Sequence, residues 1–153
     1  MEIKIELLTY KKGVENEKNI AHMMKTLSNE YDDEFCMNKT KDLLSFLEDG
    51  SAIVGSAFCG NILIGYAWGY LRKVKVLRMH ITQLVVHEKY RGMGIGKCLI
   101  DFMQQECEKC GCAGLELNVA GDNIAAQRFY LKNNFICESM FMSRELKEET
   151  MSL

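Results

Sequence analysis

The chain has 153 residues, a formal net charge of −2 at pH 7, 48% hydrophobic residues and 26% charged residues. This length and balance are those of one ordinary globular domain, so we expect a single domain over residues 1–153. The near-neutral charge provides no strongly basic face of the kind that binds nucleic acid. The longest apolar stretch, Ile62 to Leu71, is too short to cross a bilayer, which takes about 20 residues, and the N-terminus lacks the apolar core of a secretory signal. We therefore expect a cytoplasmic protein that binds neither nucleic acid nor membrane.

The seven cysteines are best explained as reduced thiols, because their number is odd and the chain is not a short secreted scaffold. Cys107 and Cys110 have the spacing of a zinc-ligand pair. No second pair of cysteines or histidines follows at the spacing that zinc sites use. We therefore expect no metal.

Apolar periodicity predicts the elements of the first half in chain order. Residues 2–10 alternate and indicate a strand. Two short helices joined by a polar loop follow, with apolar residues at helical spacing: Ile20, Met23, Met24 and Leu27, then Leu43, Leu44 and Leu47. A turn at 48–51 leads to strands at 52–58 and 62–72, which the Gly60-Asn61 pair joins as a hairpin. A third strand is expected over 76–87.

In the second half the period changes to that of an amphipathic helix, which Gly111 can terminate. Its apolar face is formed by Ile95, Cys98, Leu99, Phe102 and Met103. Residues 115–120 alternate as a strand, and Asp122 or Asn123 can cap a further helix that ends at Asn133-Asn134. Phe135–Leu146 is predicted to form one or two closing strands. The order predicts a mixed sheet with helices on its faces.

A glycine-rich segment between the third strand and the amphipathic helix carries the chemistry: Arg91, Gly92, Met93, Gly94, Ile95, Gly96 and Lys97. Glycines let the backbone approach a ligand and aim N–H groups at it. The helix N-terminus adds partial positive charge, and the two flanking side chains add whole charges. The segment therefore predicts a pyrophosphate cradle, against the alternative of a turn that binds nothing.

Two common phosphate-binding loops do not fit these residues. A dinucleotide fingerprint needs a glycine where Lys97 stands, and a Walker loop needs Ser or Thr where Cys98 stands. Arg91-x-x-Gly94-x-Gly96 instead resembles the acetyl-CoA motif of the Gcn5-related N-acetyltransferase (GNAT) superfamily. Asn123-x-x-Ala126-x-x-Phe129-Tyr130 resembles the second signature of that superfamily, one helix and one strand further on.

The resemblance implies the acyl-CoA N-acyltransferase fold: an α/β (α+β) domain whose mixed, mostly antiparallel sheet has helices on both faces and splayed central strands. It implies that acetyl-CoA is bound by 91–97, by the strand backbone at Leu84, Val85 and Val86, and by Asn123. A backbone N–H near Val86 would polarise the thioester. Tyr130 would protonate the leaving thiolate, whereas Phe129 would pack in the core.

The resemblance also implies direct attack by a primary amine in a ternary complex, but the usual carboxylate bases are missing. Their positions hold Thr82 or Gln83 and Asn118. We expect the amine proton to leave through water that these polar groups order, with Glu116 as the alternative base. His80 and His87 are further candidates.

The sequence gives less information about the acceptor amine than about the cofactor. The family places the acceptor against the first two helices and their loop, where Glu30, Asp32, Asp33 and Glu34 surround Tyr31. These acids form either a solvated surface or a mouth that attracts a cationic amine. A non-catalytic acyl-CoA sensor of the same fold is the second reading, and a degenerate dinucleotide-binding fold is the third. A homodimer is one expectation for the oligomeric state, which the sequence leaves open.

Overall fold

The computed structural model describes residues 1–147. The chain folds into two compact units, Met1–Asn118 and Val119–Leu153. The expectation of a single domain over 1–153 stays a prediction. No helix in the described range is long and apolar enough to cross a membrane.

The first unit is a five-stranded sheet with helices on both faces, in the strand order β1-β2-β3-β4-β5. Its strands are β1 (Ile3–Leu7), β2 (Ile53–Cys59), β3 (Ile62–Lys73), β4 (Leu77–Val86) and β5 (Leu115–Leu117). Its helices are α1 (Tyr10–Glu15), α2 (Glu17–Lys25), α3 (Asp33–Glu48) and α4 (Ile95–Lys109), with a 3₁₀ turn at Glu88–Tyr90. β1 to β4 pair antiparallel and β5 pairs parallel to β4, so the predicted mixed sheet is confirmed.

Two apolar clusters fill the two faces of this sheet. On one face α2 and α3 pack Ile20, Met24 and Leu43 against the sheet, where Tyr66 and Trp68 are buried. On the other face α4 packs most of its predicted apolar stripe over β2, β3 and β4, but Cys98 of that stripe is exposed, so its assignment to the apolar face is wrong. A methyl group on Gly55 or Gly69 would lie within about 3 Å of Phe102 or Met103. These glycines therefore let the middle of α4 lie close to the sheet.

Three details of the first unit differ from the sequence-based expectations. The first strand ends at Leu7, because Thr9 caps an additional short helix by accepting a hydrogen bond from the Lys12 N–H. The second predicted helix is longer than expected, since α3 begins at Asp33. β5 is limited to three residues rather than six.

The second unit begins with α5 (Ile124–Lys132). Asn134 follows with φ 69°, in the left-handed region predicted for the end of this helix. The prediction of closing strands over 135–146 is wrong for the structure, because no strand follows β5 within residues 1–147. An apolar pattern does not by itself supply the neighbouring strand that a ladder needs, and the adjacent exposed residues Met140, Phe141 and Met142 interrupt the alternation.

Candidate functional site: a phosphate loop beside an open strand edge

The glycine loop enters α4 through two left-handed residues. Gly92 and Gly94 both have φ +79°, and Gly94 is the N-cap of α4 with no side chain to satisfy the first-turn N–H groups. A Cβ on either glycine would meet no atom of the described residues within 4 Å. The loop therefore presents free N–H groups at a helix N-terminus to open space, which suits an anion such as pyrophosphate.

Two cationic side chains flank the loop, as the sequence predicted, but they contact different parts of the structure. Arg91 donates from Nε to the Val86 carbonyl (2.9 Å) and from Nη2 to Thr26 Oγ1 (3.0 Å), so it ties the loop to the ends of β4 and α2. Lys97 pairs with Asp101 one turn along α4 (2.7 Å), and this carboxylate raises the pKa of Lys97. Both side chains are exposed, and the guanidinium keeps further N–H groups for a ligand.

β4 pairs with β5 over only the first half of its length. The parallel ladder consists of three pairs and ends at Ile81 and Leu117. On the other side the register to β3 shifts by one residue, so that Thr82 has no partner and forms a β-bulge. The central strands are therefore splayed from Thr82 onward, as predicted.

The direction of the free backbone groups follows from alternation along β4. The His87 N–H donates to the Ile64 carbonyl of β3 (2.7 Å). Successive residues of a strand point their N–H and C=O groups to opposite sides. Leu84 and Val86 therefore direct these groups away from β3, toward the side of β4 on which the ladder to β5 has ended. Apart from the Arg91 contact to the Val86 carbonyl, no bond to these groups is present in residues 1–147. The resemblance implied that the backbone of Leu84, Val85 and Val86 binds acetyl-CoA. The groups of Leu84 and Val86 face this edge, which can accept an extended chain such as the pantetheine arm of CoA, whereas those of Val85 face β3.

The polar residues at the usual base positions have different environments. Gln83 is buried and accepts a hydrogen bond from the Tyr66 hydroxyl (2.9 Å), and burial raises the pKa of Tyr66. Gln83 is therefore committed to the interior. Thr82 and Asn118 are exposed.

Glu116 is part of a three-residue polar cluster. Its Oε2 lies 2.7 Å from His80 Nδ1 and 3.0 Å from Arg72 Nη2. His80 is buried, and its ring lies 5.3 Å from that of Tyr70. The sequence named His80 and Glu116 separately but missed Arg72, because only the registers of β3, β4 and β5 bring the three together.

In the second unit, Asn123 caps α5 by accepting a hydrogen bond from the Ala126 N–H (3.1 Å), which confirms the capping alternative for this residue. Tyr130 packs edge-on between Phe129 and Phe135, with ring centroids 5.2 and 5.3 Å away. Burial raises the pKa of Tyr130. Its phenol is therefore protonated at neutral pH and able to donate a proton.

The acidic residues assigned to the first interhelical loop belong largely to the start of α3. Asp32 is the N-cap and accepts a hydrogen bond from the Phe35 N–H (2.7 Å). Asp33 pairs with Lys25 (2.7 Å), which lowers the pKa of Asp33. Carboxylates here stabilise the helix N-terminus. The expectation of a loop that contains Asp33 and Glu34 is thus wrong, since both lie in the first turn of α3.

The absence of a metal is not tested by the structure. His22, His87 and Glu88 offer ligand atoms that all lie within 4.8 Å of one another. The His87 Nδ1 already accepts a hydrogen bond from the Lys89 N–H. The seven cysteines are all free thiols.

The loop, β4, β5 and α5 all fall within residues 20–135, which match the profile of the Acetyltransferase (GNAT) family. This chain belongs to the GNAT family. No curated protein matches it significantly by sequence.

Several solved structures resemble the chain over nearly its whole length. A transcriptional regulator from Bacillus halodurans C-125 superposes with a TM-score of 0.78 at 18% identity, over 95% of this chain and 100% of that one. The aminoglycoside N-acetyltransferase AAC(6')-Iy in complex with CoA gives 0.75 at 16%, over 94% and 95%. Glucosamine-6-phosphate N-acetyltransferase from Arabidopsis thaliana gives 0.68 at 18%, over 96% and 100%. At these identities the likeness shows the fold, which is that of the acyl-CoA N-acyltransferases.

Proposed function

We propose that this GNAT-family protein is a cytoplasmic, acetyl-CoA-dependent N-acetyltransferase whose acceptor is a primary amine of a small molecule or peptide. The observation that carries the proposal is the loop at 91–97. Its left-handed glycines open a helix N-terminus beside the part of β4 whose backbone is free. One surface thus offers N–H groups for a pyrophosphate and a strand edge for the extended arm of CoA.

In this proposal the chain holds and polarises the thioester and supplies a proton. The Val86 N–H, which faces the open side of β4, is placed to stabilise the oxyanion that forms when the amine attacks. Tyr130 donates its phenolic proton to the departing thiolate, and the raised pKa keeps that proton in place until it is needed. Asn123 supports the cofactor site by fixing the start of α5.

The acceptor is proposed to be cationic. Glu30 and Glu34 are exposed near the N-terminus of α3, next to the Tyr31–Phe35 aromatic pair, whose centroids are 4.4 Å apart. A carboxylate-rich surface raises the encounter rate of ammonium groups. The similarity to an aminoglycoside N-acetyltransferase suggests aminoglycosides among the first amines to test.

The test is a pair of measurements on one preparation. Acetyl-CoA should raise the melting temperature, because a ligand that binds only the native state stabilises it. CoA thiol should then be released when polyamines, aminoglycosides, amino acids or peptide N-termini are added. A shift with NAD but not with acetyl-CoA would refute the proposal.

The second candidate function is an acyl-CoA sensor without catalysis. It is favoured by the lack of a carboxylate at positions 82, 83 and 118, and by the engagement of Glu116 with Arg72 and His80. It predicts the same thermal shift with no thiol release for any amine. Sedimentation velocity tests the expectation of a homodimer.

A further inference from the structure

The cluster of His80, Glu116 and Arg72 fixes the hydrogen position on the imidazole. A carboxylate accepts hydrogen bonds and donates none, so the atom of His80 that lies 2.7 Å from Glu116 must carry a hydrogen. That atom is Nδ1. In the neutral ring the lone pair is therefore on Nε2, which is the form that can take up a proton.

Nε2 is also the atom that is open to solvent. His80 has no interaction in the described residues other than those with Glu116 and the Tyr70 ring. No buried side-chain nitrogen or oxygen in this range lacks a hydrogen-bond partner. Since Nε2 has no partner, it belongs to the exposed part of a ring that is only 10% accessible.

Two side chains of opposite charge, Glu116 and Arg72, lie beside His80. Glu116 on β5 faces the ring, and Arg72 on β3 contacts the same carboxylate oxygen of Glu116. Tyr70, also on β3, covers one side of the ring. The carboxylate of Glu116 is thus held by Arg72 on one side and holds the imidazole of His80 on the other.

His80 lies close to the point where the pairing of β4 with β5 ends. Its partner in the ladder is Glu116, and the following pair, Ile81 with Leu117, is the last one before β4 and β5 separate. The bulge at Thr82 puts Gln83, which contacts Tyr66, on the same face of β4 as His80. His80 therefore lies on the face of the sheet that also holds Gln83, one of the positions where a carboxylate was expected.

We propose that His80 is the general base of the acetyl transfer and that Glu116 is its positioning residue; this rests on the proposed function. His80 Nε2 takes a proton from the acceptor ammonium. The amine nitrogen then forms a bond to the thioester carbonyl carbon, the carbon–sulfur bond breaks, and the thiolate takes a proton from a phenol or water. The second proton of the attacking nitrogen restores that phenol or water, which leaves the neutral amide. The products are the amide and CoA thiol, with one proton released when His80 returns to its neutral form.

The experiment compares His80→Gln with His22→Gln, which removes an exposed imidazole on α2. Thiol release is measured against pH with an acceptor found in the amine screen, such as an aminoglycoside, and acetyl-CoA affinity is measured by calorimetry. His80→Gln should lower kcat by about 10²–10⁴-fold, the usual effect of a positioned base, with acetyl-CoA affinity unchanged. Its kcat/KM should keep rising with pH toward deprotonation of the free amine, whereas that of the parent and of His22→Gln levels off earlier.

A second pair of variants separates chemistry from structure. Added imidazole should partly restore His80→Ala, and Glu116→Gln should lower kcat without raising KM for acetyl-CoA. A folded His80→Gln protein with the parent kcat and pH profile would overturn the role of His80 alone. Absence of thiol release from the parent with every amine would overturn the proposed function and this role together.

Discussion

Replacement of Gly94 tests the phosphate loop most directly. Gly94 has φ +79° at the N-cap of α4, and a Cβ there would meet no atom of residues 1–147 within 4 Å. Gly94→Val therefore introduces backbone strain without a packing clash. The left-handed conformation costs an L-residue about 1–2 kcal/mol, and a β-branched side chain adds to this. For a chain of this size, that strain lowers the melting temperature by about 2–8 °C.

The effect on binding should be larger and specific. The valine side chain would fill the open space in front of the first N–H groups of α4, where the pyrophosphate is proposed to bind. A hydrogen bond to a charged group contributes about 1.5–3 kcal/mol. Each such bond lost therefore weakens acetyl-CoA binding by about tenfold to a hundredfold.

The same helix provides a matched control at its other end. Gly111 follows α4 with φ +72° and also has no atom within 4 Å of its Cβ position. Gly111→Val should thus reproduce the strain and the loss of melting temperature but leave acetyl-CoA affinity unchanged. Calorimetric titration of both variants decides the question. A folded Gly94→Val protein with the parent Kd, or an equal loss of affinity in Gly111→Val, would refute the assignment of the loop.

Three further changes test the remaining parts of the site. Tyr130→Phe removes the phenolic proton while keeping the ring, so kcat should fall by about 10²–10⁴-fold with little change in acetyl-CoA affinity; a normal kcat, with chemistry limiting turnover, would exclude it as the acid. Glu30→Gln with Glu34→Gln should raise KM for cationic amines and reduce its salt dependence, and an unchanged KM would show that these acids do not attract the acceptor. Asp32→Ala should lower the free energy of unfolding in urea by about 1 kcal/mol through loss of the α3 cap, whereas Asp32→Asn should not.

The parts of the fold that local sequence determines were predictable. The stripe on α4 repeats with helical period, and Gly111 ends the helix region in the left-handed conformation expected of it. Asn123 and Asn134 bound α5 as their capping and conformational preferences indicate. The glycine loop was predictable for the same reason, because a positive φ and an uncapped helix start depend on a few adjacent residues.

Features that depend on pairing between distant segments were not predictable. The pattern over 135–146 resembles a strand, but alternation says nothing about whether a partner is present. The cluster of Arg72, His80 and Glu116 requires two strand registers to be known at once. A one-residue change in either register would move a member to the opposite face. Even a correct list of strands therefore leaves the role of Glu116 undetermined.

One unpaired residue, Thr82, connects the fold to the chemistry. Before it, the Met79 N–H donates to the Gly114 carbonyl, so odd-numbered residues direct their backbone toward β5. After it, even-numbered residues do so, because the His87 N–H bonds to β3. Without this bulge the free groups would belong to Val85 rather than to Leu84 and Val86, and Gln83 would face α4 instead of Tyr66. A bulge also bends its strand and sharpens the local twist, which accounts for the end of the ladder to β5 at that point. The same extra residue thus opens the edge that we assign to CoA and leaves His80 beside its last intact pair.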